Sequence, residues 1–263
     1  MITMKYKILI LGGSGEGFAL DKALHNHPSA IAITSFAGRT SLPRKPLGPF
    51  RTGGFGGAEG LAAYIRNENI TALIDATHPF AAAISRNAAK AAALTGRPLL
   101  HIRRPAWQKT CRDQWVEVKS TEEAASILTS EHSPTLLTTG RLELSSFLNR
   151  QDITFIARTI EPAKVNGSVR ADEEAYPANF SFIYDKGPFT LENERALIKQ
   201  YNIRAIVSKN SGGPAASAKL IAARDANLPI IMITRPPLPE PNPGTKLAAT
   251  IEDALTWIDE LLH

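Results

Sequence analysis

Two segments of this chain share one pattern of strand, loop, helix and strand, and this repeat constrains the fold more than any other feature. Residues 69–105 and 202–236 each begin with an Asn-Ile pair and an apolar run, pass through a polar loop and an Ala-rich helix, and end in a second apolar run closed by Arg-Pro. This order predicts two βαβ units of parallel α/β sheets, in which ligands bind beyond the carboxyl ends of the strands. Chance similarity between two ordinary βαβ units is the alternative to a true repeat.

Apolar runs of strand length alternate with helix-like segments along most of the chain. Strands are predicted at 7–11, 30–36, 72–74, 98–102, 115–118, 135–139, 153–158, 180–184 and 204–208. Helices are predicted at 17–25, 59–67, 81–95, 121–130, 142–149, from Thr190 onward, and at 250–262. The Pro/Gly-rich passage before residue 57 and the polar stretch 160–179 predict loops. The alternation predicts an α/β fold with two Rossmann-like domains on mainly parallel sheets, residues 1–110 and residues 111–263.

Composition narrows the class of protein. The 263 residues are 43% hydrophobic, which is enough to bury a core, and no apolar run approaches the roughly 20 residues that span a bilayer. The formal charge of +5 is a modest surplus of 30 basic over 25 acidic residues, without a Lys/Arg block. Arginines recur singly at loop positions instead, a spacing that favours a small anionic ligand over a nucleic acid. One cysteine excludes an intrachain disulfide, and no metal site is expected. We therefore expect a cytoplasmic protein without membrane or nucleic-acid partners; the oligomeric state stays open.

A glycine-rich loop follows the first predicted strand and precedes the first predicted helix. Residues 12–17 read GGSGEG, which would place unobstructed backbone N–H groups at a helix N-terminus, where the helix dipole favours a phosphate. The motif departs from G-x-G-x-x-G because its last position is Phe18, and a tight turn without ligand is the alternative. The predicted cofactor-binding residues of this loop are Gly12, Gly13, Ser14, Gly15 and Glu16.

The end of the second predicted strand indicates which dinucleotide is bound. A carboxylate at this position binds the ribose 2′-hydroxyl of NAD, whereas an arginine accommodates the 2′-phosphate of NADP. The chain has Arg39 and Thr40 here and no acidic residue in reach, so NADPH/NADP is the predicted cofactor. A solvated Arg39 without ligand is the alternative.

Two polar loops of the repeat carry the other candidate residues. In the first, DATHP, we predict cofactor contacts from Asp75, Ala76 and Thr77, although helix capping is an alternative for Asp75 or Thr77. His78 is a candidate catalytic proton carrier because histidine titrates near neutral pH.

In the second loop, SKNSGG, a cation and an amide precede a glycine pair that suits carboxylates; a Gly-Gly turn with solvated neighbours is the alternative. We predict substrate binding from Lys209, Asn210, Ser211, Gly212 and Gly213, with Lys209 also a catalytic candidate, and from two arginines at other strand ends, Arg141 and Arg158.

Three common enzyme classes are excluded by their motifs. No tyrosine has a lysine four positions later, which excludes the short-chain dehydrogenase dyad. The glycine loop lacks the Gly-Lys-Ser/Thr of a P-loop, and Glu16 interrupts a G-x-S-x-G nucleophile elbow.

Motifs spread over nearly the whole chain resemble those of the precorrin-6A reductases of cobalamin biosynthesis. They are LILGGSGEG (9–17), FAGRT (36–40), RTGGFGGAEGLAAYI (51–65), IDATHPFA (74–81), RRPAW (103–107), TTGR (138–141), KGPFTLENE (186–194), VSKNSGGPAASAKLIAAR (207–224) and ITRP (233–236). The chain departs from the family at Gly17, where alanine is more usual, and at Phe36, where leucine is frequent.

The resemblance implies NADPH-dependent reduction of one double bond in an anionic tetrapyrrole, precorrin-6A or its cobalt form. It also implies two Rossmann-like domains facing each other across a cleft, with dinucleotide mainly on the first. DATHP would then border the nicotinamide and SKNSGG the acidic substrate, with His78, Lys209 or water as the proton source. A noncatalytic NADP(H)-binding regulator with an effector site in the second domain is the alternative function.

Overall fold

The computed structural model describes residues 6–38, 45–162, 164–165, 168–169 and 176–262, with only the backbone described at 164–165 and 168–169. The chain divides into two compact units. One consists of Met1–Pro105 and Pro236–His263, and the other of Ala106–Arg235. No helix in the described ranges is both long enough and apolar enough to cross a membrane.

The first unit is built on a six-stranded parallel sheet. Its strands, numbered along the chain, are β1 (Tyr6–Leu11), β2 (Ala30–Phe36), β3 (Phe50–Thr52), β4 (Ala72–Asp75), β5 (Leu99–Ile102) and β14 (Thr245–Ala248). Its helices are α1 (Gly15–Leu24), α2 (Gly57–Asn67), α3 (Ala82–Thr95) and α7 (Ile251–Leu262). The strand order is β3-β2-β1-β4-β5-β14, the 3-2-1-4-5-6 order of dinucleotide-binding folds.

Strand β1 shows why the sheet must be covered on both faces. Ile8 and Ile10 pack on one face with Leu20 of α1 and Ile258 of α7, whereas Leu9 packs on the other face in a second apolar cluster. Because successive side chains point to opposite faces, only a continuous apolar run suits a strand buried on both sides.

The second unit contains another six-stranded parallel sheet, in the order β11-β8-β7-β12-β13-β6 once its strands are numbered. These strands are β6 (Gln114–Val118), β7 (Thr135–Leu137), β8 (Phe155–Thr159), β11 (Phe180–Tyr184), β12 (Ala205–Lys209) and β13 (Pro229–Ile233). A short antiparallel pair consists of β9 (Lys164–Val165) and β10 (Ser168–Val169). The helices are α4 (Thr121–Ile127), α5 (Leu191–Gln200) and α6 (Ala218–Asp225).

The two sheets have exchanged their last strands. Strand β6 follows β5 in the chain but pairs with β13 at the edge of the second sheet, and β14 follows β13 but pairs with β5 at the edge of the first. If β6 is counted last, the second sheet also has the order 3-2-1-4-5-6. The chain passes between units after Pro105 and again after Arg235, at the two Arg-Pro pairs that close the repeated segments.

The repeat predicted from sequence is confirmed in the topology. β4-α3-β5 and β12-α6-β13 occupy equivalent fourth and fifth positions of their sheets. Asn69 and Asn202 both adopt left-handed conformations, with φ of 54° and 49°, directly before buried Ile70 and Ile203. Asparagine tolerates this conformation better than most residues, so each Asn-Ile pair ends a helix and starts the next buried run.

The expected boundary between 1–110 and 111–263 differs from the structure in two ways. The division falls at Pro105, and residues 236–263 return to the first unit because β14 completes its sheet and α7 packs against α1. Residues 50–52, predicted as loop, form edge strand β3, and residues 142–149 form a 3-10 helix at Arg141–Phe147 rather than an α-helix. The helix predicted from Thr190 onward is confirmed as α5, and Thr190 is its N-cap, since its side chain accepts the N–H of Asn193 at 3.2 Å.

Candidate functional site

The glycine loop lies between β1 and α1, at the carboxyl edge of the first sheet. Ser14 ends this loop as the N-cap of α1, where its Oγ accepts the N–H of Gly17 at 3.2 Å. The same Oγ donates a 2.6 Å hydrogen bond to the carbonyl of Ala76, which directly follows β4. Ser14 therefore ties the loops after β1 and β4 together, and its own side chain is only 8% exposed.

The glycines of this loop fit the phosphates of a dinucleotide. A Cβ at Gly13 or Gly15 would meet no described atom within 4 Å, so the loop presents open backbone, and Gly13 has a φ of 110° that disfavours any side chain. At Gly12 and Gly17 the space is closed: a Cβ would lie 3.0 Å from Thr34 Cγ2 and 3.1 Å from Gly12 Cα, respectively. Gly17, not position 18, therefore serves as the glycine for close helix–strand packing.

Glu16, predicted to contact cofactor, pairs with Arg104 in the structure. Arg104 Nη1 lies 2.7 Å from each of the two carboxylate oxygens, and both side chains are about four-fifths buried. Burial alone would raise the pKa of Glu16, but the hydrogen bond and charge of Arg104 hold that pKa below its ordinary value. The pair neutralises a carboxylate that would otherwise oppose an anion at the start of α1.

Asp75 organises the DATHP loop from the last position of β4. Its Oδ1 accepts hydrogen bonds from the Thr77 N–H at 3.1 Å and the Thr77 hydroxyl at 2.6 Å. Its Oδ2 lies 2.9 Å from Nδ1 of His101, on the neighbouring strand β5. Burial would raise the pKa of Asp75, but the hydrogen bond to His101 holds that pKa below its ordinary value. The cofactor contacts of Asp75 and Thr77 remain predictions. The capping alternative is wrong, because the N-cap of α3 is Ala81, and the observed contacts of Asp75 with Thr77 shape the loop instead.

His78 is exposed at the tip of the same loop. Its Nδ1 accepts the N–H of Phe80 at 3.3 Å, and the two rings lie 5.8 Å apart. An acceptor Nδ1 places the proton of the neutral ring on Nε2. His78 thus has the solvent access that a proton carrier needs. Arg39 and Thr40, predicted to bind the 2′-phosphate, lie outside the described residues.

In the second unit, SKNSGG (208–213) begins with the last two residues of β12 and continues as the loop at the equivalent position. Lys209 forms an ion pair with Glu143 of the Arg141–Phe147 3-10 helix. Asn210 holds the backbone of Trp107 on both sides: its Oδ1 accepts the Trp107 N–H at 2.8 Å and its Nδ2 donates to the Trp107 carbonyl at 3.0 Å. The Gly213 carbonyl accepts the Trp107 indole N–H at 2.9 Å. The loop therefore fixes the segment that enters the second unit.

Ser211 and Gly212 are buried between these contacts, and Gly212 has a φ of 67° that requires glycine or asparagine. Arg141 donates to Thr159 Oγ1 at 3.1 Å and to the Glu161 carbonyl at 2.6 Å. Substrate binding by these residues remains a prediction. For Arg141 and Asn210 the structure adds protein partners that a ligand would have to share or replace.

Arg158, predicted to bind substrate, is buried and already contacts a carboxylate and an aromatic ring of the protein. Its guanidinium lies 2.7 Å from Glu194 Oε1 and 3.9 Å from the centre of the Phe189 ring, and both charged side chains are at most 5% exposed. Lys219 of α6 is also buried, with its ammonium 5.1 Å from the Trp107 ring centre. Burial and the charge of Arg158 lower the pKa of Lys219 to about 7, although Glu194 opposes the shift.

His101, Arg104 and Lys219 were missed by sequence reasoning. His101 ends an apolar strand in register with Asp75, and only the strand pairing reveals the contact. Arg104 could have been found, since it closes the first repeat in the RRP motif, but its partner Glu16 lies 88 positions away. Lys219 looks like an ordinary surface lysine in an Ala-rich helix.

Comparison of sequence and structure with known proteins relates nearly the whole chain to one enzyme family. The family model described as precorrin-6x reductase CbiJ/CobK matches residues 7–259. The chain is 41% identical over 255 residues to the precorrin-6A reductase of Rhodococcus erythropolis, covering 97% of this chain and 98% of that protein. It is 34% identical over 183 residues to the cobalt-precorrin-6A reductase of Priestia megaterium, covering 68% and 70%. A solved structure of CobK precorrin-6A reductase matches with a TM-score of 0.86 at 34% identity, covering 97% of this chain and 96% of that one.

Proposed function

The chain belongs to the precorrin-6x reductase family, and from this premise we propose that it reduces one double bond of precorrin-6A with NADPH, a step of cobalamin biosynthesis. The observation that carries the proposal is the open glycine loop between β1 and α1, in a sheet with the 3-2-1-4-5-6 order of dinucleotide-binding folds. Membership in a family of reductases leaves the noncatalytic regulator without support.

We assign dinucleotide binding to the first unit. The backbone of Gly13 and Gly15 and the N-terminus of α1 would receive the pyrophosphate, with Arg104 compensating Glu16. The loop fixed by Asp75 and Thr77 follows β4, the strand next to β1, and would border the nicotinamide. When bound, the reduced nicotinamide supplies the hydride, so the protein mainly positions the reactants and excludes water.

A proton must reach the macrocycle after hydride transfer. The exposed His78 side chain, acting as an imidazolium, is the proposed donor from the first unit, and the ammonium of Lys209 is the proposed donor from the second. Pairing with Glu143 keeps Lys209 close to a carboxylate that could return the proton afterwards. Bound water is the remaining candidate.

We propose that the second unit holds the carboxylates of the substrate. Lys209 and Arg141 are both cations at the carboxyl edge of its sheet: Lys209 is the last residue of β12, and Arg141 donates to Thr159, the last residue of β8. Cations fixed by neighbouring groups bind carboxylates at lower entropic cost than mobile ones. Relatives of both kinds, acting by name on the cobalt-free and on the cobalt precursor, match this chain, and the higher identity favours the cobalt-free form as the first substrate to test.

The direct test follows the NADPH absorbance of the purified protein with precorrin-6A, and separately with its cobalt form. We expect NADPH oxidation that depends on the macrocycle, and a reduced product two hydrogens heavier by mass spectrometry. His78→Gln and Lys209→Met separate the proton donors: the donor's variant should lose turnover while retaining NADPH affinity. Binding of NADPH without any macrocycle-dependent oxidation would refute the proposed reaction.

A further inference from the structure

Arg51 lies beside the carboxyl end of β2, the position that contacts the adenosine ribose in dinucleotide-binding folds. It is the middle residue of β3 and stands in register with Ser35 near the end of β2. The next contact along the strand, from the Gly53 N–H to the Phe36 carbonyl at 2.9 Å, keeps the two strand ends together. The ribose 2′ substituent of a dinucleotide is recognised at this end of the second strand.

The guanidinium of Arg51 is fixed in place by neutral groups. Its Nη1 donates to Ser35 Oγ at 2.8 Å and to the Gly53 carbonyl at 2.9 Å, and its Nη2 donates to the Gly54 carbonyl at 3.0 Å. The Phe55 ring centre lies 3.9 Å from the guanidinium carbon. A guanidinium held on one face by an aromatic ring and on its edge by carbonyls needs little ordering when an anion arrives.

The positive charge of Arg51 is not neutralised within the described part of the chain. Its hydrogen-bond partners are a hydroxyl and two carbonyls, and no described carboxylate forms an ion pair with it. Arg104 of the same unit, by contrast, is paired with Glu16. Three of the five N–H donors of Arg51 are used by these partners, which leaves two for a ligand. A half-buried arginine in this state matches the geometry and charge of a phosphate.

We infer that Arg51 recognises the 2′-phosphate of NADP(H) and makes the first unit select NADP(H) over NAD(H). The inference rests on the proposed function, because it assumes that the first unit binds a dinucleotide. It also gives a role to the RTGGFGG segment at 51–57, since the carbonyls of Gly53 and Gly54 set the orientation of the guanidinium.

Calorimetric titration with NADP+ and with NAD+ tests the inference without any macrocycle. Arg51→Met removes the charge while keeping an apolar stem against Phe55, and Arg51→Lys keeps the charge but loses the planar donor set. Arg66→Met is the matched control, because Arg66 is exposed in the last turn of α2 and, among the described residues, its side chain donates to the Leu94 carbonyl alone. We expect Arg51→Met to weaken NADP+ binding by about 10- to 100-fold with NAD+ binding unchanged, as for lost hydrogen bonds to a charged group. Arg51→Lys should fall between, and Arg66→Met should match wild type.

The outcomes separate the inference from the proposed function. If wild type prefers NADP+ and Arg51→Met keeps that preference, Arg51 does not read the phosphate, although the proposed cofactor stands. Equal loss of NADP+ and NAD+ affinity in Arg51→Met would show that Arg51 only supports the loop, which also overturns the inference. If wild type binds NAD+ as tightly as NADP+, or binds neither, the failure lies in the proposed cofactor itself. Circular dichroism and thermal melting show whether each variant is folded. In folded Arg51→Lys, the affinities for 2′,5′-ADP and 5′-AMP are then compared, because these ligands differ in the 2′-phosphate alone.

Discussion

Asp75 and His101 face each other from adjacent parallel strands, with Asp75 Oδ2 2.9 Å from His101 Nδ1 and both side chains at most 5% exposed. The other ring nitrogen, Nε2, is buried without a hydrogen-bond partner among the described residues. An unprotonated Nε2 costs less in such a place than an N–H, so the contact holds the ring in the Nδ1–H tautomer. The pair fixes the carboxylate that shapes the DATHP loop.

Replacement of this carboxylate is expected to cost stability at neutral pH. In Asp75→Asn, an amide donor would face His101 Nδ1, and either that contact is lost or the ring proton moves to the buried Nε2. We expect the free energy of unfolding in urea at pH 7 to fall by about 1–3 kcal/mol. Asp259→Asn is the control, because Asp259 is 65% exposed. Equal stability of Asp75→Asn and wild type would contradict the assignment.

The same substitution has a pH signature. The pKa of Asp75 is lower in the folded protein than the ordinary value of 3.8, so the unfolded chain takes up the proton first as the pH falls. The contribution of Asp75 is therefore complete above about pH 4 and is lost as the pH drops through the lower, folded pKa. We expect the stability difference between wild type and Asp75→Asn to shrink on going from pH 7 to strongly acidic solution, as measured by urea unfolding.

Lys219 is expected to destabilise the protein near neutral pH. Its pKa is about 7 in the folded state, against 10.5 for an unperturbed lysine, so between these values the unfolded chain binds more protons. Stability should rise with pH across this window, and the full cost should be present below about pH 7. Lys219→Met removes the charge but retains the stem. It should unfold at higher urea than wild type at pH 7, and its stability should change less between pH 7 and 10. A loss of stability at pH 7 would oppose this account.

Glu194 supplies the negative charge next to two buried cations, so its replacement should lower the free energy of unfolding strongly. Glu194→Gln would leave Arg158 without its partner at 2.7 Å and Lys219 without a nearby negative charge. We expect a loss of about 3–5 kcal/mol in the free energy of unfolding, as for other broken buried pairs. Adding Lys219→Met should restore part of this loss, because one unpaired cation disappears.

The neighbouring residue of α5 offers a control for this experiment. Arg195 pairs with Asp225, but the arginine side chain is 55% exposed. Arg195→Met should therefore cost less than about 1 kcal/mol. Similar losses in Glu194→Gln and Arg195→Met would show that the buried Arg158–Glu194 pair contributes no more to the free energy of unfolding than an exposed pair.

Alanine substitutions at two glycines of the first loop should distinguish an effect on NADP+ affinity from an effect on stability. A Cβ at Gly15 meets no described atom within 4 Å, so Gly15→Ala should leave the melting temperature unchanged while narrowing the proposed phosphate site and weakening NADP+ binding. Gly13 has a φ of 110°, and Gly13→Ala should cost about 1 kcal/mol or more in stability as well. Thermal melting and NADP+ titration of both variants provide the measurement. Unchanged affinity in Gly15→Ala would argue against a phosphate at this loop.

Local sequence patterns were sufficient to predict most of the strands, helices and candidate loops of this protein. Buried runs such as 7–11, the helix cap at Thr190 and the repeat of 69–105 in 202–236 all depend on neighbouring residues, and periodicity and turn chemistry are local properties. The candidate loops GGSGEG, DATHP and SKNSGG were found for the same reason, because they directly follow strands. Edge strand β3 was missed because its three residues are too few to show a period.

Tertiary structure alone decided the exchange of β6 and β14 and the partners of the buried charges. An edge strand can pair with any sheet that offers an open edge, and nothing within Gln114–Val118 or Thr245–Ala248 specifies which sheet that is. The contacts of Asp75 with His101, of Arg158 with Glu194 and of Arg104 with Glu16 join residues 26 to 88 positions apart. Whether a charged side chain is solvated or buried with a partner depends on the packing of distant segments, which no local pattern records.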